Sequence, residues 1–440
     1  MLVKKSLKAI SMIIVFALLF SFVGCTKKST AVRVVEESDP YYSCDEINLE
    51  FQFTDVEDKE LKNRMFGQRK VFQGCVIVSV YEEYVIPEEL EKEMDEFWKN
   101  YFKYTEEDAI EINNRYGSYF RNGLACFDMD GKMNCFVDIP SGSEIVGMSE
   151  DTEGNPKILL SSYIGGGYKI EVCDISPEGD FINKIRLGDD VSSVLGKDFF
   201  VLDNGNFLCH DIAYDGSSIL VFNSDGILLS KEKVKDPITK ITPEIDRLLH
   251  IDGKFYACYV KKDFFDDTVM PKMYMYEIDP DSAKTLGEAI ESTSSIHASK
   301  LIQGQDGVYA ILGNGIEKVD CVGAEDSSTI LSWNETDCNH IGDNPYDIGF
   351  CLASENDIYL TREVEIGQYQ LIDTPSEIHL LHLKREETNP HAGKQILYLT
   401  YMGDMRKEFL EYLNTYNLDF FNCLLHYTFN SQFNIISHIK

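Results

Sequence analysis

The stretch Cys126-Phe-Asp-Met-Asp-Gly-Lys-Met-Asn-Cys135 sets two thiols on either side of a turn signal. A two-residue Asp130-Gly131 turn of type I′ would pair Met129 with Lys132 and Cys126 with Cys135. Counted outward from that turn, the cysteines form a non-hydrogen-bonded pair, where side chains approach most closely. Two chemistries stay open there, a cross-strand disulfide or two reduced thiols. The remaining cysteines are scattered singly, from Cys44 to Cys423, with no C-x-x-C. They signal neither a zinc site nor a disulfide framework. His379-x-x-His382 lies in a strand-like run, where odd spacing sends the two rings to opposite faces, which argues against a metal site. Asp128-x-Asp130-Gly131 opens like a calcium loop but lacks the later ligands and the final Glu, so a hairpin turn explains it better. Gly165-Gly166-Gly167 has no following Lys-Ser/Thr and is not a phosphate loop. Asp263–Asp267 reads as a solvated inter-strand loop. Gly-x-Ser-x-Gly is absent, and no acid–base pair stands out among 74 acidic residues. The expectation is therefore no catalytic residue, no metal and no cofactor, in a chain that is not an enzyme.

One cysteine differs from the others. Lys4, Lys5 and Lys8 precede an uncharged apolar run from Ala9, which ends in Phe22-Val23-Gly24-Cys25. This is the layout of a secretory signal peptide, too short to be a good membrane span. Gly24-Cys25 resembles the lipobox of bacterial lipoproteins, with Phe22 in place of the usual Leu or Val. The resemblance implies a diacylglycerol on Cys25, which becomes the mature N-terminus after residues 1–24 are removed. Two acyl chains suffice for stable anchoring. Residues 25–43 then read as a lipidated tether.

The charge narrows the partners. The chain has 440 residues, 41 basic against 74 acidic, for a net charge of −33. Residues 1–24 carry three lysines and no acid, so the mature chain has 38 basic residues and a net charge of −36. Such a chain repels phosphate backbones, which excludes nucleic acid as a partner. It also repels anionic lipid headgroups, so membrane attachment is expected through the lipid. With 44 % apolar residues a sizeable core can form.

The elements that carry these residues recur. An apolar strand, a polar turn and a second apolar strand appear at 124–139, 168–187, 219–229, 273–286 and 316–331. The turn residues Asp128, Asp174, Asn223, Asp279 and Asp320 stand 46, 49, 56 and 41 apart. A second piece, a polar residue and then an aromatic-aliphatic strand, recurs at Lys157–Leu160, Asp198–Val201, Lys254–Ala257, Gly307–Ala310 and Asp357–Leu360. Repeats of about 40–50 residues with four short strands each are the signature of β-propeller blades. The fold class is all-β, a propeller over 44–386 with six blades, seven being the alternative count. Lys70–Glu82 supplies inner strands for the first blade, and a strand within Leu49–Phe53 closes the ring. Residues 87–117 interrupt the pattern as a helical insertion. Leu90, Met94, Phe97, Trp98, Tyr101 and Phe102 fall at helical spacing, and Thr105–Asp108 resembles a capping box. Packing on the propeller's side is the bland reading of that aromatic face, and a partner surface the functional one.

Residues 387–394 read as a linker, and 395–440 as a strand followed by a helix from Asp404 to about Tyr416. That start, with Leu413-Asn-Thr-Tyr-Asn417 at the helix end, resembles the sugar-type extracellular solute-binding proteins of ABC transporters. The whole layout resembles a clostridial-type family of Gram-positive lipoproteins with a propeller-like region before the binding domain, and Trp333 in Leu331-Ser-Trp-Asn-Glu-Thr-Asp337 fits that region. The resemblance implies a membrane-anchored accessory of carbohydrate transport, with an ABC permease as partner and a non-catalytic binding role. Residues 420–440 contain no acid, and the binding domain reads as truncated, with a genuine short paralogue as the alternative. Two rivals remain. One is a stand-alone surface propeller binding a glycan or protein, the other a surface hydrolase or lyase.

Overall fold

A computed structural model describes residues 34–53, 59–164, 167–188, 194–212, 216–235, 242–261, 272–292, 300–304, 307–312, 315–319, 328–336, 348–365, 376–401 and 423–429. Six four-stranded antiparallel sheets form a six-bladed β-propeller. The six-blade expectation holds.

Blade 1 comprises Leu61–Val71, Val76–Tyr84, Phe120–Phe127 and Met133–Asp138, and blade 2 Ser143–Glu150, Pro156–Ile164, Gly167–Ile175 and Phe181–Arg186. Blade 3 is built from Val194–Val201, Phe207–Ile212, Ser218–Phe222 and Leu228–Lys233, and blade 4 from Arg247–Ile251, Lys254–Lys261, Lys272–Ile278 and Thr285–Glu291. Blade 5 contains Leu301–Gln303, Val308–Leu312, Gly315–Lys318 and Ser328–Ser332. Blade 6 contains Phe350–Ser354, Asp357–Glu365 and Ser376–Arg385, and takes its outermost strand, Tyr42–Asn48, from the start of the chain.

The ring follows from where apolar side chains must go. Along Val76–Tyr84, Val76, Val78 and Val80 pack with Ile378 and Leu380 of blade 6. Ile77, on the opposite face, packs with Leu124 and with Ile158 of blade 2. A strand apolar on both faces needs a sheet on each side. Each of the six interfaces has its own core: blades 1–2, 2–3, 3–4, 4–5, 5–6 and 6–1.

Closure comes slightly earlier in the chain than expected. Tyr42 pairs with Arg385 and Asn48 with His379, whereas Leu49 and Phe51 turn into the core between blades 6 and 1. Phe51 stacks on Phe66 and meets Phe127 edge-on, so its side chain is more favourably placed in that core than along an outer strand. Entry and exit of the ring are tied together. The Val35 N–H donates to the Lys394 carbonyl and the Gly393 N–H to the Val35 carbonyl, each at 2.9 Å. The ends of the expected tether and linker are thus paired with each other. Beyond them, Gln395–Tyr401 and Cys423–Phe429 pair in parallel. The helix expected between them lies outside the described residues.

The outer-hairpin turns explain the repeat. The Asn223 side chain accepts from the Asp225 and Ile227 N–H groups, and Gly226 adopts φ +81°. A Cβ on Gly226 would lie 1.9 Å from the Arg186 carbonyl oxygen of blade 2, and the Gly226 carbonyl accepts from Gly188. The turn therefore latches one blade onto the outermost strand of the preceding one. Asp128 builds the same turn, accepting from the Asp130 and Lys132 N–H groups.

The insertion forms two helices, α1 (Glu88–Lys99) and α2 (Glu106–Gly117), joined through a 3₁₀ turn at Tyr101–Lys103. Thr105 caps α2 in the expected box, reciprocally with Asp108. Leu90, Met94 and Phe97 are buried, whereas Trp98, Tyr101 and Phe102 are exposed. The expected single aromatic face thus splits into a packed set and a solvent-facing set.

Candidate functional site

The first strands of neighbouring blades approach one another, so they wall the axis of the ring. Their polar side chains mostly bridge between blades. Gln68 of blade 1 donates to the Ile145 and Val146 carbonyls of blade 2, at 3.1 and 2.8 Å. Arg69 pairs with Glu363 of blade 6. Arg247 of blade 4 donates to both oxygens of Asp198 of blade 3, at 2.7 and 2.9 Å, and to the Leu301 carbonyl of blade 5. Gln303 of blade 5 accepts from the His250 N–H of blade 4 at 2.8 Å and donates to its carbonyl at 3.0 Å.

Asp198 reaches that position through a bulge. Leu195 stands opposite Asp211 and Phe199 opposite Cys209, so residues 196–198 face only His210. Bulges re-aim side chains in this way. The His210 ring occupies the space left by Gly196, where a Cβ would meet its Cε1 and Nε2 at 2.0 Å. His210 is 2 % exposed and its Nδ1 has no hydrogen-bond partner. Burial pushes its pKa below the ordinary imidazole value, against the pull of Asp198 and Asp211. Burial alone would raise the Asp198 pKa, but Arg247 beside it holds the carboxyl below the usual range. Asp211, fully buried, accepts from the Ser218 N–H at 2.6 Å and from Lys231 at 2.8 Å.

Lys70 also reaches from blade 1 to blade 2, but its contact is the weakest of the set. Its Nζ makes one long hydrogen bond, 3.4 Å to the Met148 carbonyl. Among the described residues no carboxylate lies within ion-pair distance of it. Desolvation by the surrounding protein pushes the pKa of this half-buried lysine down; Glu150 and Asp198 pull it up from further away. The same Nζ stands over the Phe72 ring, 5.3 Å from its centroid, so its donors meet weak partners only. Asp198 is within electrostatic reach of both Lys70 and His210, which links blades 1 and 3, with Arg247 of blade 4 beside Asp198, in one polar patch. Perturbed titration in such an enclosure is a mark of functional sites. The patch can bind an anionic group at Lys70 or exchange a proton there. The described residues contain no metal-holding cluster.

The residues expected from sequence lie elsewhere. Cys25 is outside the described residues. Cys126 and Cys135 do stand opposite each other, and both thiols are free. The hydrogen bond between them raises the Cys126 pKa and lowers that of Cys135. The turn differs from the expected one. Asp128, not Met129, pairs with Lys132, with Gly131 at φ +83°. A bulge after Cys126 then restores the register, and with it reverses the parity. The Ile139 N–H donates to the Asn122 carbonyl, and stepping two residues at a time from there makes Cys126–Cys135 a hydrogen-bonded pair. Cys44 is disulfide-bonded. His379 pairs with Glu46 and His382 with Asp357, on opposite faces. The Trp333 indole donates to the Leu312 carbonyl at 2.7 Å and packs against the core between blades 5 and 6.

Sequence reasoning missed Lys70, Asp198, His210 and Arg247. A signal existed for Asp198. It resembles the polar residue that opens the aromatic-aliphatic strand in the other blades, but that place in blade 3 belongs to Asn206, ahead of Phe207–Ile212. Asp198 is the copy of the motif that sits in the wrong strand.

No family model and no curated protein matches the chain. Solved structures do. A family 117 glycoside hydrolase of Zobellia galactanivorans is 9 % identical, with a TM-score of 0.29, over 78 % of this chain and 91 % of its own. The polysaccharide lyase Uly1 is 9 % identical, with a TM-score of 0.34, over 61 % and 70 %. TolB of Acinetobacter baumannii is 12 % identical, with a TM-score of 0.31, over 83 % and 87 %. At these values the likeness concerns the fold alone. It does correct one expectation. The chain was read as not an enzyme for lack of motifs, yet proteins matched for this architecture include glycoside hydrolases and a lyase. The missing motif therefore excludes nothing, because propeller sites are assembled from different blades and leave no contiguous signature.

Proposed function

We propose that this chain is an exported, membrane-tethered propeller whose axial wall captures a carboxylate-bearing sugar, in the service of ABC-type carbohydrate uptake. The observation that carries the reading is Lys70, a half-buried ammonium held by one long hydrogen bond and the Phe72 ring, with no carboxylate within ion-pair distance among the described residues. Desolvating a charge that has only weak partners is costly, and an anionic ligand would relieve that cost. The sugar hydroxyls would meet polar groups along the first strands of the blades. The setting is supported by the signal peptide, by Cys25 and by the solute-binding resemblance of residues 395–417. A disulfide at Cys44 fits an oxidising compartment. Trigalacturonate and maltotriose titrated calorimetrically into residues 26–440 test the reading. The acidic sugar binds, the neutral one does not, and Lys70→Met loses at least about tenfold in affinity, as for one charge-assisted hydrogen bond. Equal binding of both sugars, no binding of either, or an unaffected Lys70→Met overturns it. The anchor is tested separately by palmitate labelling, which Cys25→Ala abolishes.

A further inference from the structure

The sequence Phe97-Trp-Lys-Asn-Tyr-Phe-Lys-Tyr104 contains five aromatic residues, two lysines and no acid. It forms the tip of the insertion, from the end of α1 through the 3₁₀ turn. Phe97 is fully buried against Met94, Ile112 and Tyr104, and the Thr105–Asp108 box fixes the start of α2. The tip is therefore held by its own small core. On that base Trp98 is 62 % exposed, Tyr101 49 % and Phe102 100 %. The Trp98 and Tyr101 rings are nearly parallel, at 14° and 6.1 Å between centroids. Lys99 has only a 3.7 Å exposed contact to Asp95, and Lys103 donates to Asn100.

A rigid turn that presents Trp, Tyr and a wholly exposed Phe between lysines has the chemistry of a membrane interface. Aromatic rings of this kind settle at headgroup depth, and lysine stems reach back to phosphate. The net charge of −33 argues against lipid binding only at long range. Charge interactions fall off over about 8 Å at physiological ionic strength, so headgroups touching the tip sense the local charges, Lys99 and Lys103 with Asp95, Glu96 and Glu107 close by, and the rings carry the insertion. We infer that the Trp98–Lys103 tip inserts into the lipid surface and sets which face of the propeller looks away from the membrane. This is independent of any ligand in the channel. It shares with the proposed function only the extracytoplasmic setting, and a lipid tether alone would leave orientation free.

The test uses the mature chain without its lipid, Cys25→Ser, and vesicles of phosphatidylcholine with and without phosphatidylglycerol. The chain has two tryptophans, so Trp333→Phe leaves Trp98 as sole emitter. The inference expects a blue shift of Trp98 emission and quenching by brominated acyl chains, with or without phosphatidylglycerol. Phe102→Asp lowers vesicle partitioning by at least about tenfold without moving the unfolding midpoint, because Phe102 touches no core. Co-sedimentation of the Phe102→Asp chain with Trp333 intact repeats the comparison without the second substitution. No shift and no sedimentation with either vesicle overturns the inference, as does equal partitioning of Phe102→Asp. A shift produced by cell-wall glycan and not by vesicles overturns it too, since the tip would then be a sugar platform.

Discussion

Gly226→Ala separates the latch between blades from ordinary turn chemistry. Two effects add at this position. The backbone sits at φ +81°, where a Cβ costs about 1 kcal/mol. The new Cβ would also stand 1.9 Å from the Arg186 carbonyl oxygen. Relief requires the turn to withdraw from blade 2, which breaks the 2.9 Å bond from the Gly188 N–H to the Gly226 carbonyl. That loss adds about 1–2 kcal/mol, for a total of about 2–3 kcal/mol. Gly154 is the control, with φ +83° and nothing within 4 Å of its would-be Cβ. Gly154→Ala should therefore cost only the conformational part, about 1 kcal/mol. At about 2.1 cal/mol/K per residue over roughly 360 residues, 2–3 kcal/mol lowers the melting temperature by about 3–4 °C and 1 kcal/mol by little more than 1 °C. Urea unfolding followed by far-ultraviolet circular dichroism gives the difference directly. Equal costs for the two substitutions would refute the latch and leave Gly226 a turn glycine like any other.

Three further outcomes are expected. Asp198→Asn leaves Arg247 buried beside a neutral amide and should destabilise the ring by about 3–5 kcal/mol, measured from the urea midpoint. Because Arg247 holds the Asp198 pKa below its unfolded value, that group's stabilisation is complete above about pH 4 and is lost as pH falls through the folded pKa. His210, with its pKa lowered by burial, contributes a second slope, with stability falling as pH drops below about 6.5, where the unfolded imidazole takes up a proton first. In His210→Gln that second slope should vanish while the first stays. Iodoacetamide should label Cys135 well before Cys126, read by peptide mass, because their shared hydrogen bond favours the Cys135 thiolate; simultaneous labelling would contradict it.

The ring was legible because its signals are local. Asn223-Ser-Asp-Gly226 and Asp128-x-Asp-Gly131 encode their turns in four residues, and one apolar strand between two turns is enough to mark half a blade. The helical insertion was legible for the same reason, through its spacing and the Thr105–Asp108 cap. Which of its aromatics would be buried was not, because Trp98 and Phe97 differ only in which way the next helix lies. The cysteine partners came out right through two offsets that cancel, a longer turn and a bulge, and only the parity exposes the difference. The channel patch was illegible. Lys70 and Asp198 are 128 positions apart, and each reads as an ordinary polar residue in an alternating strand. Their enclosure exists only once six blades close, and no window of sequence contains that event.

The central claim is that an anionic sugar sits against Lys70 inside the ring. A crystal of residues 26–440 soaked with trigalacturonate tests it most directly. The account predicts sugar density on the axis, with a carboxylate oxygen within hydrogen-bonding distance of Lys70 Nζ. A well-ordered sugar bound elsewhere, or an axis that stays free of it at saturating ligand, would contradict the account.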